Sequence, residues 1–315
     1  DLKIKGAPEG IKFALGENVK QANWGEKYTK RFPQSRMGVT TFMANRFVAA
    51  QQYLDAQEKA HKAGTLPPAR DLELEAIGEI INGTRLIHCH SYRQDEILAF
   101  LRLMEQFNVK VATLQHILEG YKVADEIVRH GAGASMFSDW WAYKFEVYDA
   151  IPYNGSLMRN RGALVSFNSD SSELARRMYL EAAKAVKYGG TPEPDALNFV
   201  TINPAKQLGL GERIGSLEPG KDADFAIWSG SPLDSSTVCL QTWIEGKQYF
   251  DRSKAPERAI AREKERSGLI AKAKKLQGGD DEKKPAGPAV AAFFKTALEQ
   301  SHRIMQCGEC AEVRR

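Results

Sequence analysis

Three apolar runs in this chain end in imidazole or carboxylate side chains, and their spacing limits the folds open to it. Residues 85–90 read Arg-Leu-Ile-His-Cys-His and carry His88; residues 109–116 end at His116; residues 163–170 end at Asp170. The gaps between these three positions are 28 and 54 residues. They approximate one and two strand–helix units of a (β/α)8 barrel, whose eight units share roughly 250 residues. Barrels of this kind carry their chemistry at the C-terminal ends of the strands. Two imidazoles and a carboxylate delivered to one rim suit a divalent metal that activates water.

The rest of the chain supports the alternation. Residues 11–16 read as a short strand running into Glu17-Asn18, and 21–37 as a polar, aromatic-rich active-site loop. Helices are expected over 42–62 and 71–82, from the spacing of Phe47, Ala50, Tyr53 and Leu54 and of Leu72, Leu74, Ile77 and Ile80. Strands at 85–90, 109–116, 133–138 and 163–168 then alternate with helices at 94–107, 121–130, up to 160 and 172–208. After Leu210 the pattern turns to β. Two short strands are expected around the Pro219-Gly220 turn, then a hairpin over 238–250 turning at Glu245-Gly246-Lys247. Residues 255–276 form a charged helix, 278–288 a linker, and 289–305 an apolar docking helix. The expected division is a partial barrel over 1–209, a β segment over 210–252 and a charged helical tail over 253–315.

Composition excludes little. Hydrophobic residues make up 43% and charged residues 27%, ordinary for a globular protein. No apolar run approaches the ~20 residues of a membrane span. The net charge of +4 resides in the tail: 15 Lys/Arg against 10 Asp/Glu from Asp251 onward, and 29 against 30 before it. No nucleic-acid partner is therefore expected of the body, and the partner expected is a small-molecule substrate. Cys89, Cys239, Cys307 and Cys310 form no disulfide framework. Cys307 and Cys310 with His302 have half the count of a structural zinc site.

Residues 203–210, Asn-Pro-Ala-Lys-Gln-Leu-Gly-Leu, run into 215–224, Gly-Ser-Leu-Glu-Pro-Gly-Lys-Asp-Ala-Asp. With the three metal-type positions, this passage resembles the amidohydrolase superfamily, and its imidazolonepropionase-like members in particular. The resemblance covers residues 1 to about 250 and implies an α/β fold, a TIM-type barrel with a small β-sandwich domain. It implies that His88 and His116 are metal ligands after the fifth and sixth barrel strands. Asp170, after the eighth, is implied as both ligand and general base, and Lys12 as a carboxylated lysine bridging two metals. The implied cofactor is one or two divalent ions, zinc first. The first-strand His-x-His of the family is absent; His88-Cys89-His90 has that spacing but sits at the fifth strand. The chain thus reads as lacking the barrel's first strands, with a missing N-terminal segment or a homo-oligomer to complete it. Members often carry a leader, which makes a periplasmic or secreted location one expectation and a cytoplasmic one the other.

The chemistry expected is hydrolysis of an amide or other non-peptide C–N bond. Asp170 takes a proton from the activated water and passes it to the leaving nitrogen. His116 binds metal or polarises the scissile carbonyl. His90, Tyr92 and Arg93 are expected to contact substrate, and Ser169, Ser171 and Ser172 to orient Asp170. Glu17 rivals Lys12 as an oxygen ligand. Trp140, Trp141 and Tyr143 are candidate pocket walls, and Trp24 a lid residue. A lone His at a strand end is more often a hydrogen-bonded or surface residue, so the joint spacing carries the reading; His61 and His130 are expected to be solvated. Two alternatives stand beside it. A deaminase of the same fold places Glu three residues after the fifth-strand His, where this chain has Ser91, its first acid being Asp95. A non-catalytic fragment, or half of a split enzyme, would leave unpaired edges and aggregate alone.

Overall fold

The computed structural model describes residues 4, 6–20, 31–138 and 144–277. Trp24, Trp140, Trp141, Tyr143, the 289–305 helix and the Cys307/Cys310 pair lie outside them. Contacts divide the chain into two compact units, the first built mainly from residues 1–225 and the second from 247 onward with parts of 226–243.

The first unit is a five-stranded parallel sheet in sequential order: β1 (Glu9–Ala14), β2 (Arg85–His90), β3 (Val111–Gln115), β4 (Gly133–Met136) and β5 (Val165–Phe167). Sequential parallel order requires a crossover between each pair of strands. The chain supplies α1 (Arg36–Ala63) and α2 (Leu72–Ile81) before β2, α3 (Gln94–Gln106) before β3, α4 (Ala124–His130) before β4 and α5 (Asn154–Asn160) before β5. After β5 come α6 (Met178–Gly189), α7 (Glu193–Asn198) and α8 (Ile202–Gln207). Local chemistry sets the helix ends. The Ser35 hydroxyl accepts the Gly38 N–H, and the Asp71 carboxylate accepts those of Glu73 and Leu74. Gly131, at φ 83°, ends α4 in the left-handed conformation that favours glycine.

Register assigns the two faces of the sheet. Phe13 pairs with Cys89 and meets Phe47 of α1 and Phe100 of α3, each at 6.2 Å between ring centroids. That face is the helix-covered core. The opposite face carries Lys12, in register with His88, and His90 two residues on. Between β2 and β3 the register slips: Ile87 faces Val111, but His88 faces Thr113 and His90 faces Gln115. The extra residue of β3 brings Thr113 opposite His88 rather than Cys89.

The outer edge of β5 is occupied by the chain that follows it. The Phe199 carbonyl accepts the Phe167 N–H at 2.8 Å, and Asn203 Nδ2 donates to the Val165 carbonyl at 2.7 Å. Gln207 accepts from the Ser166 hydroxyl and donates to the Leu164 carbonyl. The Asn-Pro-Ala passage therefore satisfies backbone groups of a strand edge, which otherwise invites pairing with another chain.

The three-stranded sheet runs β6 (Phe225–Trp228), β7 (Cys239–Ile244) and β8 (Lys247–Asp251), followed by α9 (Ala255–Gln277). Glu245 and Gly246, both at positive φ, turn the expected hairpin.

Several expectations need correcting. The first strand lies at 9–14, not 11–16, because Gly16 opens a 3-10 turn over Gly16–Val19. α1 begins at Arg36, six residues before the expected 42, since Ser35 caps it ahead of the apolar periodicity. Of the two strands expected over 214–228 only β6 forms; 214–224 is irregular chain that turns at Pro219-Gly220, with the Arg213 guanidinium on Asp222 at 2.6 Å. His130 is not solvated: its side chain is 3% exposed at the end of α4, where Nε2 accepts the Val111 N–H at 3.1 Å and Nδ1 lies 3.2 Å from Glu105. Among the described residues no helix is long and apolar enough to cross a membrane.

Candidate active site

His116 follows β3 and Asp170 follows β5, and both take positive φ, 59° and 44°. Such backbone is uncommon outside glycine and collects at functional sites, where surrounding structure holds the strain. The only other non-glycine residues in this region of φ among the described residues are Asn108 and the hairpin's Glu245. Two of the four residues with this backbone are thus the ones that the sequence marks as catalytic.

The His116 ring is fixed on several sides. Its Nδ1 donates to Asn168 Oδ1 at 2.8 Å, and Asn168 Nδ2 donates to the Ser135 hydroxyl at 2.8 Å. With Nδ1 protonated, the ring's lone pair is on Nε2, the arrangement by which outer groups prepare a histidine ligand. Phe137 stacks on the ring at 4.7 Å, and His90 stands against it at 5.1 Å. His90 in turn meets Tyr92 edge-on at 4.6 Å, and its Nε2 accepts from Asn18 Nδ2 at 2.8 Å.

Burial favours the neutral form of His88 and His90. It lowers the His88 pKa. It lowers His90 to about 3, with the nearby His116, Lys12 and Lys144 charges adding to the effect. A neutral imidazole is the form that binds metal. The Thr113 hydroxyl, opposite His88, is buried with no hydrogen-bond partner among the described residues.

The other expected site residues lie as follows. Lys12 and Asp170 are exposed, and His88 is half-buried. Tyr92 is fully buried, so it backs His90 rather than facing solvent. Arg93 precedes α3, and its guanidinium is paired with Asp95 at 2.9 Å. Glu17 donates its N–H to Glu146 Oε2 at 3.2 Å. Ser169 exchanges hydrogen bonds with the Ser171 backbone, and the Ser171 hydroxyl accepts the Leu174 N–H, so these serines brace the turn that carries Asp170.

The donor types thus suit a divalent metal: imidazoles, a carboxylate and an adjacent hydroxyl. The structure does not draw His88, His116 and Asp170 into one closed set, however; among the described residues no three His, Cys, Asp or Glu side chains are grouped to hold an ion. Sequence reasoning missed Asn168, Ser135, Asn18 and Phe137. Asn168 had a signal, since strand alternation puts it on the face of Asp170, two residues away. Asn18 had none, because its bond to His90 spans 72 residues.

Comparison with known proteins gives a consistent picture. Residues 155–276 match the Amidohydrolase family, a stretch that includes Asp170 but neither histidine. An amidohydrolase of Hapsidospora irregularis, tasK, is 31% identical over 256 residues, 76% of this chain and 26% of that protein. The imidazolonepropionase of Thermoplasma volcanium is 54% identical over 76 residues, 22% of this chain and 19% of the enzyme. An amidohydrolase structure from Thermotoga maritima superposes with a TM-score of 0.70 at 32% identity, over 77% of this chain and 63% of that one. The chain spans only part of each of these relatives. The five parallel strands and these neighbours together give a TIM-barrel-like α/β fold, and the chain carries an amidohydrolase-family domain.

Proposed function

We propose that the chain forms part of a metal-dependent hydrolase acting on an amide or other non-peptide C–N bond of a small molecule. The observation that carries this reading is the strained backbone of His116 and Asp170 at the C-terminal ends of parallel strands. The names of the relatives agree with it. His88, His116 and Asp170 would hold a divalent ion, zinc first, with Lys12 as a further ligand in a two-metal form. Bound there, such an ion supplies a water acidic enough to ionise near pH 7.

The chain's own residues perform the rest. Asp170, exposed at the sheet's C-terminal end, accepts the water's proton and returns it to the departing nitrogen. Asn168 holds His116 with its lone pair on Nε2. His90 stays neutral through burial and borders the reacting groups as a hydrogen-bonding contact for substrate. Tyr92 supports His90 from behind. Arg93 shares its charge with Asp95, so it reaches a substrate carboxylate only by leaving that pair. A partial (β/α) barrel lacking its first strands over 1–209, a β-sandwich segment over 210–252 and a charged helical tail over 253–315 complete the proposed architecture.

The test is metal content by elemental mass spectrometry on the purified chain, beside a His88→Ala/Asp170→Ala variant, followed by hydrolysis assays on N-formyl and cyclic amide substrates. Near-stoichiometric zinc lost in the variant supports the site. Equal zinc in parent and variant refutes the assignment of these ligands.

A further inference from the structure

Glu146 contributes to the site without facing it. The residue is 1% exposed. Its Oε2 accepts the Glu17 N–H at 3.2 Å and the Arg36 guanidinium at 3.3 Å, and its Oε1 lies 3.1 Å from Lys144 Nζ. Gly16 closes on the same carboxylate: a Cβ there would stand 2.9 Å from Oε2, at a φ of 74°. Arg36 also pairs with the buried Glu96 at 2.9 Å. A buried carboxylate with two cations beside it is costly to disturb, because losing its charge takes one of two carboxylates from Arg36 and a close counter-charge from Lys144.

Two of these contacts lead to His90 from opposite directions. Glu17 precedes Asn18, whose amide donates to His90 Nε2 at 2.8 Å. Lys144 Nζ lies 4.7 Å from the Tyr92 ring centre, and that ring stands edge-on to His90 at 4.6 Å. A third link runs through the backbone. Val147, next in sequence, packs in one apolar cluster with Tyr92 and Phe137, and Phe137 stacks on His116.

We propose that Glu146 is a positioning residue that holds His90 in one ring orientation and one tautomer, through Glu17–Asn18 on one side and Lys144–Tyr92 on the other. With the Asn18 amide nitrogen facing Nε2, that nitrogen accepts, and the neutral ring carries its proton on Nδ1. Glu146 touches no reacting atom. The role stands on His90 belonging to the site proposed above.

The test is long-range 1H–15N correlation of the histidine rings in the full-length, metal-free, 15N-labelled chain. The parent is compared with Glu146→Gln, Lys144→Met and Asn18→Ala, with near-UV circular dichroism reporting the fold. In the parent His90 should show one neutral tautomer, with widely separated Nδ1 and Nε2 shifts. In folded Glu146→Gln that separation should collapse toward the average of the two tautomers, while His130, held by Val111 and Glu105, stays unchanged. His90 shifts in folded Glu146→Gln that superimpose on the parent's overturn the proposal. If Glu146→Gln does not fold, Glu146→Asp, which keeps the charge and withdraws the carboxylate by one methylene, decides: movement of His90 with His130 unchanged supports the role, and His90 shifts equal to the parent's overturn it. The readout needs no turnover, so a chain that hydrolyses no amide refutes the hydrolase reading and leaves this comparison intact.

Discussion

Truncating Asn168 to alanine separates the support of His116 from its identity. Asn168 makes two side-chain hydrogen bonds, to His116 Nδ1 and the Ser135 hydroxyl, both at 2.8 Å. Each is worth about 0.5–1.5 kcal/mol net, so their loss should lower stability by about 1–3 kcal/mol. In a domain of this size that corresponds to a fall of roughly 2–12 °C in melting temperature. The effect on metal is separable from this. Removing the partner that orients a histidine ligand typically costs ~10–100-fold in affinity. The assay is isothermal titration of zinc into the metal-free chain at a temperature where the variant is fully folded, with a thermal melt alongside. Asn154→Ala serves as control. The Asn154 side chain accepts the Tyr121 N–H and donates to the Ile117 carbonyl, so the control also loses two hydrogen bonds. If Asn168→Ala binds zinc within twofold of the parent, while His116→Ala abolishes binding, the second-ring role of Asn168 is wrong.

Further outcomes are expected. Asn154→Ala should destabilise the chain by about 1–3 kcal/mol, because it loses two hydrogen bonds, to the Tyr121 N–H and the Ile117 carbonyl, yet leave zinc affinity unchanged; urea unfolding measures this. Gly189→Ala should destabilise by about 1–3 kcal/mol despite alanine's better helix propensity, since its Cβ would fall on the Ser156 hydroxyl, which is buried against Thr191; a normal melting temperature would refute that packing. Stability of the metal-free chain should fall as the solution is acidified. The His90 pKa is lowered to about 3 in the folded chain, so the unfolded state binds the extra proton between its ordinary pKa near 6.5 and that value. His90 thus contributes stability above pH ~6.5 that is lost toward pH 3, and urea midpoints in His90→Gln should depend less on pH over that window. Cys89, fully buried with its thiol pKa pushed up, should resist iodoacetamide in the native chain and react on unfolding, as mass mapping would show.

Much of the architecture was legible in local pattern. The β2 bounds match the expected strand, and α3 and α9 match to within a residue, because apolar period and end signals agree there. The Glu245-Gly246 hairpin was equally plain, since its turn needs residues that accept positive φ. Expectation failed where pairing partners decide. A first strand was expected within 214–228 ahead of the Pro219-Gly220 turn, but a strand needs a neighbour, and here contacts such as Arg213 with Asp222 replace one. His130 looked like a solvated helix end until a strand's unpaired N–H came to rest on its ring.

The sequence by itself determined the parallel α/β class, the family resemblance, and the placing of His116 and Asp170 at strand ends. These follow from hydrophobic period, turn residues and spacing, all local along the chain. Only the tertiary structure decided what surrounds them. The bulge in β3 chose which side chains oppose His88 and His90. Burial set the protonation of His88 and His90, and contacts spanning many tens of residues joined Asn18 to His90, Asn168 to His116 and Glu146 to Glu17. Register, burial and long-range hydrogen bonds are properties of packed chain segments, and no one segment encodes them alone.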